Sequence, residues 1–329
     1  MLLTRAPLRI SLGGGGTDLP SYYSEHGGFL LSAALNKYVF LAVNRPAVDQ
    51  RLWIKYSASE TVSSVDEVKH DLVGPTLKLL QLTHRLEISS MADVAAGTGL
   101  GSSSSYLVAL LTALYELKRQ KVPVRDLAET AFHIEHDLAH HPVGKQDHYL
   151  AAFGGIICLD IAKDGTVAVS PLAGFDDHMA EFRTRVMLFY TGQSRDSGTI
   201  LEVQRAQTEK RDPLMIDSLH RTKELGYKIH KALQTGDFDR FGLLLDEHWQ
   251  NKKRRGGPIS DARLDGWYDL AKRNGALGGK IIGAGGGGFF MFCCKFGCRS
   301  AMRAALAQEG LREMPYDFDD EGAKVLVNL

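Results

Sequence analysis

Short apolar runs punctuated by glycine set the rhythm of the first hundred residues. Leu8-Arg9-Ile10-Ser11-Leu12 alternates apolar with polar side chains, which predicts a strand running into four glycines at 13–16. Residues 28–32 and 38–43 predict two further strands. Residues 68–85 predict a helix that Gly74-Pro75 interrupts or starts, and Leu86-Glu87-Ile88 begins another strand. A glycine-serine loop at 97–105 then opens onto residues 106–120, which hold no Gly or Pro and predict a long apolar helix. Residues 124–141 predict a second helix stopped by Pro142, and residues 146–153 a short one closed by Gly154-Gly155. Residues 156–160 and 167–169 predict a hairpin around Asp164-Gly165. Further on, residues 185–190 predict a strand and residues about 199–250 a largely helical region. A glycine-rich run at 283–288 enters an apolar strand at 289–294. Strands and helices mix without a regular β-α-β rhythm, which predicts an α+β fold rather than a doubly wound sheet. The break falls near 175–185, giving domains of residues 1–180 and 181–329.

Composition narrows the class. A formal net charge of zero gives no broad electrostatic reason to expect nucleic acid or an anionic membrane as partner. The chain has no run of 18 apolar residues, and its first residues lack the basic-then-apolar pattern of a leader, so a cytoplasmic protein is expected. The four cysteines are Cys158, Cys293, Cys294 and Cys298. Cys293 and Cys294 fall on opposite faces of a regular strand, and an intracellular setting predicts free, reduced thiols.

The loop at 97–105 carries the strongest local signal. Glycines let a backbone approach a polyphosphate, and the following helix offers unpaired N–H groups and its positive dipole end. The same residues also suit a serine cap on a core helix, with glycines merely turning the chain. Two familiar nucleotide motifs are excluded. Gly279-Lys280 is followed by Ile281, which breaks the P-loop pattern. The run at 283–288 fits Gly-x-Gly-x-x-Gly but opens a strand, where a dinucleotide site opens a helix.

Taken in order, Pro7-x-Arg9…Gly14…Thr17-Asp18, Gly99-Leu100-Gly101-Ser102-Ser103 and Gly283-x-Gly285-Gly286-Gly287 resemble the three motifs of the GHMP kinases. That family takes its name from galactokinase, homoserine kinase, mevalonate kinase and phosphomevalonate kinase. Ala95, Ser104 and Ser105 depart from the usual middle motif but leave its phosphate loop intact. The resemblance implies a two-domain fold, like ribosomal protein S5 at the N-terminus and ferredoxin-like at the C-terminus, with ATP and Mg²⁺ as cofactors. It assigns Gly97, Gly99, Leu100, Gly101, Ser102, Ser103 and Ser104 to the nucleotide, and Ser103 with Glu135 to Mg²⁺. Asp147 would face the acceptor hydroxyl with Arg9 beside it. Gly14, Gly15, Gly16, Thr17, Asp18, Gly285 and Gly286 would meet the substrate. Phosphoryl transfer needs such a set, because charge on the phosphates must be neutralised and the nucleophile oriented.

Within the family, the string from Arg9 to Pro20, together with Gly144-Lys145-Gln146-Asp147 and Gly278-Gly279-Lys280, looks like that of the heptose 7-phosphate kinases. This implies a sugar phosphate as acceptor, phosphorylated at its anomeric hydroxyl, and a cationic anchor for which Arg254 and Arg255 are the candidates. A kinase for a free sugar such as fucose is the competing reading. The run Lys252-Lys253-Arg254-Arg255 is either this anchor or a solvated face, and it lacks the interleaved aromatics of a nucleic-acid site. His133, His136, His140, His141 and His148 lack the His-Glu-x-x-His pattern of a zinc hydrolase, and structural or solvent-facing roles are expected. A non-catalytic sensor of sugar and nucleotide would have lost Asp147 or the metal ligands, and this chain keeps them. Oligomeric state is left open, a homo-oligomer included.

Overall fold

The computed structural model describes residues 1–193, 197–256 and 259–329. Seven strands from the first half share one sheet: β1 (Leu2–Gly13), β2 (Gly28–Asn44), β3 (Leu52–Lys55), β4 (Ser59–Val62), β5 (Leu86–Ala92), β6 (Ile156–Ile161) and β7 (Val167–Pro171). Helices α1 (Pro20–His26), α2 (Val73–Leu79), α3 (Ser102–Leu117), α4 (Val124–Phe132), α5 (Gln146–Phe153) and α6 (Met179–Arg185) accompany them. A second, antiparallel sheet has the order β11-β8-β10-β9, from β8 (Val186–Tyr190), β9 (Ala276–Ile281), β10 (Phe289–Cys294) and β11 (Arg312–Glu313). With it go α7 (Ser197–Glu209), α8 (Pro213–Gln234), α9 (Phe238–Lys253), α10 (Ala262–Arg273) and α11 (Arg299–Gln308). The last strand, β12 (Lys324–Asn328), returns to the first sheet and pairs antiparallel with β1. This is the α+β class that the mixed element order predicts.

The unbroken apolar character of β10 follows from its place between two cores. Phe289, Met291 and Cys293 enter the main core, while Phe290, Phe292 and Cys294 enter a second core with Trp249, Trp267 and Tyr268. A strand buried on both faces has no polar side to show. Cys293 and Cys294 do point to opposite faces, and all four cysteines are free. Among the described residues no helix is long and apolar enough to cross a membrane.

Several elements differ from the sequence pattern. The strands expected at 28–32 and 38–43 are one, because β1 pairs along both halves of β2 and carries its backbone across the polar pair Asn36-Lys37. The halves differ in their other neighbour: Gly28 to Ala33 pair with β6, and Val39 to Asn44 with β5. The helix expected over 68–85 shrinks to α2, which starts beside Gly74-Pro75 and gives way to a left-handed Gln81 (φ 57°). The helix expected over 124–141 is regular only through Phe132. Residues His133–Leu138 form a wider π-type turn before a left-handed His140 (φ 57°). Such widenings re-aim side chains, and this one carries Glu135.

Candidate active site

Alternation along β1 sends Leu8, Ile10 and Leu12 into the core and turns Arg9 and Ser11 toward a cleft. The Arg9 guanidinium grips Asp147, the second residue of α5. Nε donates to Oδ1 and Nη2 to Oδ2, each at 2.6 Å, and Nη1 donates to the Gly99 carbonyl at 2.6 Å. The Arg9 backbone N–H also donates to the Leu100 carbonyl at 2.9 Å. One buried arginine thus joins β1, the glycine-serine loop and α5. Its two-point contact fixes the rotation of the carboxylate.

Backbone crowding explains the glycines of this loop. Gly101 sits at the N-terminus of α3 with φ 79°, where a Cβ would meet Asp147 Oδ2 at 3.0 Å. A Cβ on Gly99 would meet the Ile282 carbonyl at 2.6 Å, and one on Gly283 would meet Gly99 Cα at 2.9 Å. The second and third glycine loops therefore touch backbone to backbone.

Two chambers meet at this contact. The larger, about 580 Å³, is lined by Gly97, Gly99, Gly101, Ser102 and Ser103, with Tyr56, His70 and Tyr106 on another wall. The smaller, about 90 Å³, is lined by Ser11, Gly15, Gly16, Asp18 and Gln146, with Gln204, His248, Lys252 and Lys280 opposite. Arg9, Asp147, Gly283 and Ala284 line both.

Other expected site residues stand elsewhere. Leu100 is wholly buried in the core and Ser104 lies behind the loop, where its Oγ donates to Glu135 Oε2 at 2.8 Å. The Thr17 hydroxyl is consumed by the Gly14 and Phe29 carbonyls at 2.9 and 3.0 Å, and Gly14 is packed against the Phe29 backbone. Both shape the first loop from beneath. Gly285 and Gly286 rest on Ile259, to whose carbonyl the Gly286 N–H donates at 2.8 Å, and neither lines a chamber. Helical spacing splits the basic run. Lys252 and Arg255 turn inward, whereas Arg254 points out and stands 3.7 Å from the exposed Asp217. The Arg255 guanidinium lies beside Gly16 and bonds Ser218, Gln204 and Thr222.

Asp18 accepts from the N–H groups of Gly16 at 3.2 Å and Gln146 at 3.0 Å. Burial raises its pKa, the Gln146 N–H opposes this, and the charge of Asp147 raises it further. Glu135 is also buried, with Oε2 held by Ser104 and by His148 Nε2 at 2.7 Å. Burial alone would raise its pKa, but the neighbouring His141, His148 and Ser103 side chains together hold it well below the usual range. His141, between Asp71 and Glu135, is pushed up to about 10 by those two carboxylates. His133 and His136 both contact Asp137. Among the described residues no three His, Cys, Asp or Glu side chains form a metal cage.

Sequence reasoning missed His248, Lys280, Gln204 and Ser11 as chamber residues. Ser11 had a signal in the alternation that sets it on the Arg9 face of β1, and Lys280 in the string Gly278-Gly279-Lys280, while His248 had none.

Comparison with known proteins identifies the family and the fold. The GHMP kinases N-terminal domain family matches residues 69–155 and the GHMP kinases C-terminal family residues 229–317, together just over half the chain. A D-glycero-alpha-D-manno-heptose 7-phosphate kinase of Campylobacter jejuni is 27% identical over 332 residues, spanning 98% of this chain and 97% of that protein. An L-fucokinase/L-fucose-1-P guanylyltransferase of Bacteroides fragilis is 26% identical over 88% of this chain and 34% of its own length. The crystal structure of a D-glycero-D-manno-heptose 1-phosphate kinase from Bacteroides thetaiotaomicron superposes with a TM-score of 0.82 at 26% identity, covering all of both chains. With both family domains matched and the fold shared end to end, this chain belongs to the GHMP kinases, phosphotransferases with an alcohol group as acceptor.

Proposed function

We propose that this chain transfers the γ-phosphoryl group of ATP to the anomeric hydroxyl of D-glycero-D-manno-heptose 7-phosphate. The product is the 1,7-bisphosphate, made in the cytoplasm for nucleotide-activated heptose and surface polysaccharide. The observation that carries this reading is that two chambers, one opening on a helix N-terminus and one lined by cations, share Asp147 and Arg9. Gly97, Gly99, Gly101, Ser102 and Ser103 cradle the nucleotide phosphates through backbone N–H groups and the α3 dipole. Gly15, Gly16 and Asp18 receive the sugar, the two glycines leaving room for a heptose. Asp147 orients the anomeric hydroxyl and takes its proton as the oxygen bonds the γ-phosphorus and ADP departs. Arg9 holds Asp147 in place and faces the transferring group. Residues 1–180 supply the nucleotide loop and Asp147, and residues 181–329 the third loop and the cations.

Mg²⁺ would be held by Ser103, which lines the larger chamber, and by Glu135 behind that wall. Glu135 Oε1 is buried with no hydrogen-bond partner among the described residues and stands 3.7 Å from His141 Nδ1, and hard oxygen donors such as this carboxylate and the Ser103 hydroxyl suit the ion. When bound it neutralises charge on the nucleotide phosphates.

Of the three relatives described above, two are named for phosphorylated heptoses and one for a free sugar, L-fucose. Phosphorus NMR of the product decides between them. Incubation with heptose 7-phosphate and ATP is expected to yield a new anomeric phosphate beside the retained terminal one. Better specificity for an unphosphorylated sugar, or transfer to another carbon, would overturn the reading.

A further inference from the structure

The smaller chamber holds more buried basic side chains than the described residues pair with carboxylates. Lys252 and His248 lie one helical turn apart on α9, and Lys280 reaches the same space from β9. They are 8%, 2% and 3% exposed. Each ammonium has three donors, yet among the described residues the Lys252 Nζ bonds only the Gly283 carbonyl (2.5 Å) and the Lys280 Nζ only the Leu12 carbonyl (3.3 Å). Both ring nitrogens of His248 and the Ser11 hydroxyl, which also lines the chamber, are buried with no hydrogen-bond partner among the described residues. The two carboxylates here are otherwise engaged: Asp147 with Arg9, Asp18 with backbone N–H groups. Among the described residues neither lysine forms an ion pair.

Burying unpaired ammonium groups is costly, and folded proteins keep them where a ligand completes the site. Burial, then repulsion from Arg9 and Arg255, pushes Lys280 down to about 7. Lys252 is driven down by burial and by Arg255, Lys280 and Arg9, and His248 by burial and the neighbouring lysines. Tetrahedral dianions match this arrangement, since they offer several acceptor oxygens to converging donors and cancel the repulsion.

We propose that Lys252, Lys280 and His248, with the Ser11 hydroxyl, form an anion seat that holds the terminal phosphate of the acceptor. The seat rests on the reading of the chain as a sugar-phosphate kinase, and it takes the role that the outward Arg254 cannot fill. Lys280 hangs from β9, where Gly278 and Gly279 pack against α9 and Phe292, so the cation is fixed by the sheet and not by a surface loop. Phosphorylated acceptors then gain affinity that a free sugar lacks.

The test uses the full chain, wild type and with Lys252→Met or Lys280→Met. Loss of charge-assisted hydrogen bonds is expected to raise the KM for heptose 7-phosphate by about 10- to 100-fold per variant, with the KM for ATP moved less than twofold. A rise in the ATP KM with no change for the acceptor would overturn the proposal, because the cations would then serve the nucleotide. Thermal unfolding without nucleotide provides a readout independent of turnover. Inorganic phosphate is expected to raise the Tm of the wild type and not that of Lys280→Met, whose ligand-free Tm is itself at or above the wild-type value. Equal protection of both proteins, or of neither, refutes the seat. Protection of the wild type alone, with no turnover of any heptose phosphate, leaves the seat standing and removes the heptose reading.

Discussion

At the scale of single residues, the site is organised by one arginine and one carboxylate. Arg9 places two donors on Asp147 and one on the Gly99 carbonyl, which holds the carboxylate at the junction of the chambers. Asp147→Asn keeps the shape but removes the proton acceptor and leaves an amide N–H facing the guanidinium. Turnover is expected to fall by about 10²- to 10⁴-fold with the fold retained, as measured by kcat and far-UV circular dichroism. Near-normal kcat would remove Asp147 from proton transfer. Lys280 supports a second residue-scale prediction. Burial and the charges of Arg9 and Arg255 push it down to about 7, so it is mostly neutral at pH 8. A bound phosphate favours the ammonium form, so binding at pH 8 takes up protons. Calorimetric titration in two buffers of different ionisation enthalpy reads the uptake directly, and proton release at pH 8 would contradict it. Asp147 and Arg9 could be singled out from the sequence because their motifs are local. His248 could not, and Lys280 stood out only within the string Gly278-Gly279-Lys280, since the chamber they share joins positions 32 apart.

At the scale of elements, the loops work because glycine lets backbones touch. Gly144, just before α5, shows this for the acceptor side: a Cβ there would collide with the Asp18 carboxylate. Gly144→Ala is expected to push Asp18 off the Gly16 and Gln146 N–H groups and raise the acceptor KM by about tenfold, the effect of losing one such charge-assisted bond. The ATP KM should stay put, because the nucleotide loop is packed against Gly283 rather than Gly144. A proportionate rise in both constants would mean that the substitution loosens α5 as a whole. The elements themselves were partly legible. The strand-loop-helix order around Ser102 follows from composition, whereas the π-type turn that carries Glu135 interrupts a pattern that reads as unbroken helix.

At the scale of the whole molecule, the two sheets are not independent. The main core joins Leu8 and Ile10 of β1 to Leu225 and Ile229 of α8, Phe241 and Leu245 of α9, and Met291 of β10. Heat or denaturant should therefore melt the chain in one cooperative step, with calorimetric and van't Hoff enthalpies in agreement. Phe241→Ala, at a fully buried position, is expected to cost about 3–5 kcal/mol and to lower the midpoint of that single step. Two separate transitions, with only the later or earlier one shifted, would show that the halves unfold alone.

The sequence by itself determined the α+β class, the three glycine-rich loops and their order, the arginine and aspartate at their junction, and the family they mark. These are properties of short segments, where steric demands on the backbone write themselves into glycine spacing and apolar alternation. Only the tertiary structure decided which side of each element faces the cleft. It turned Thr17, Ser104 and Arg254 away from the cleft and Lys252 into it. It also set His248 and Lys280, 32 positions apart, in one buried space. A charge becomes functional through what surrounds it, and burial without a partner is a property of the packed molecule that no local pattern records.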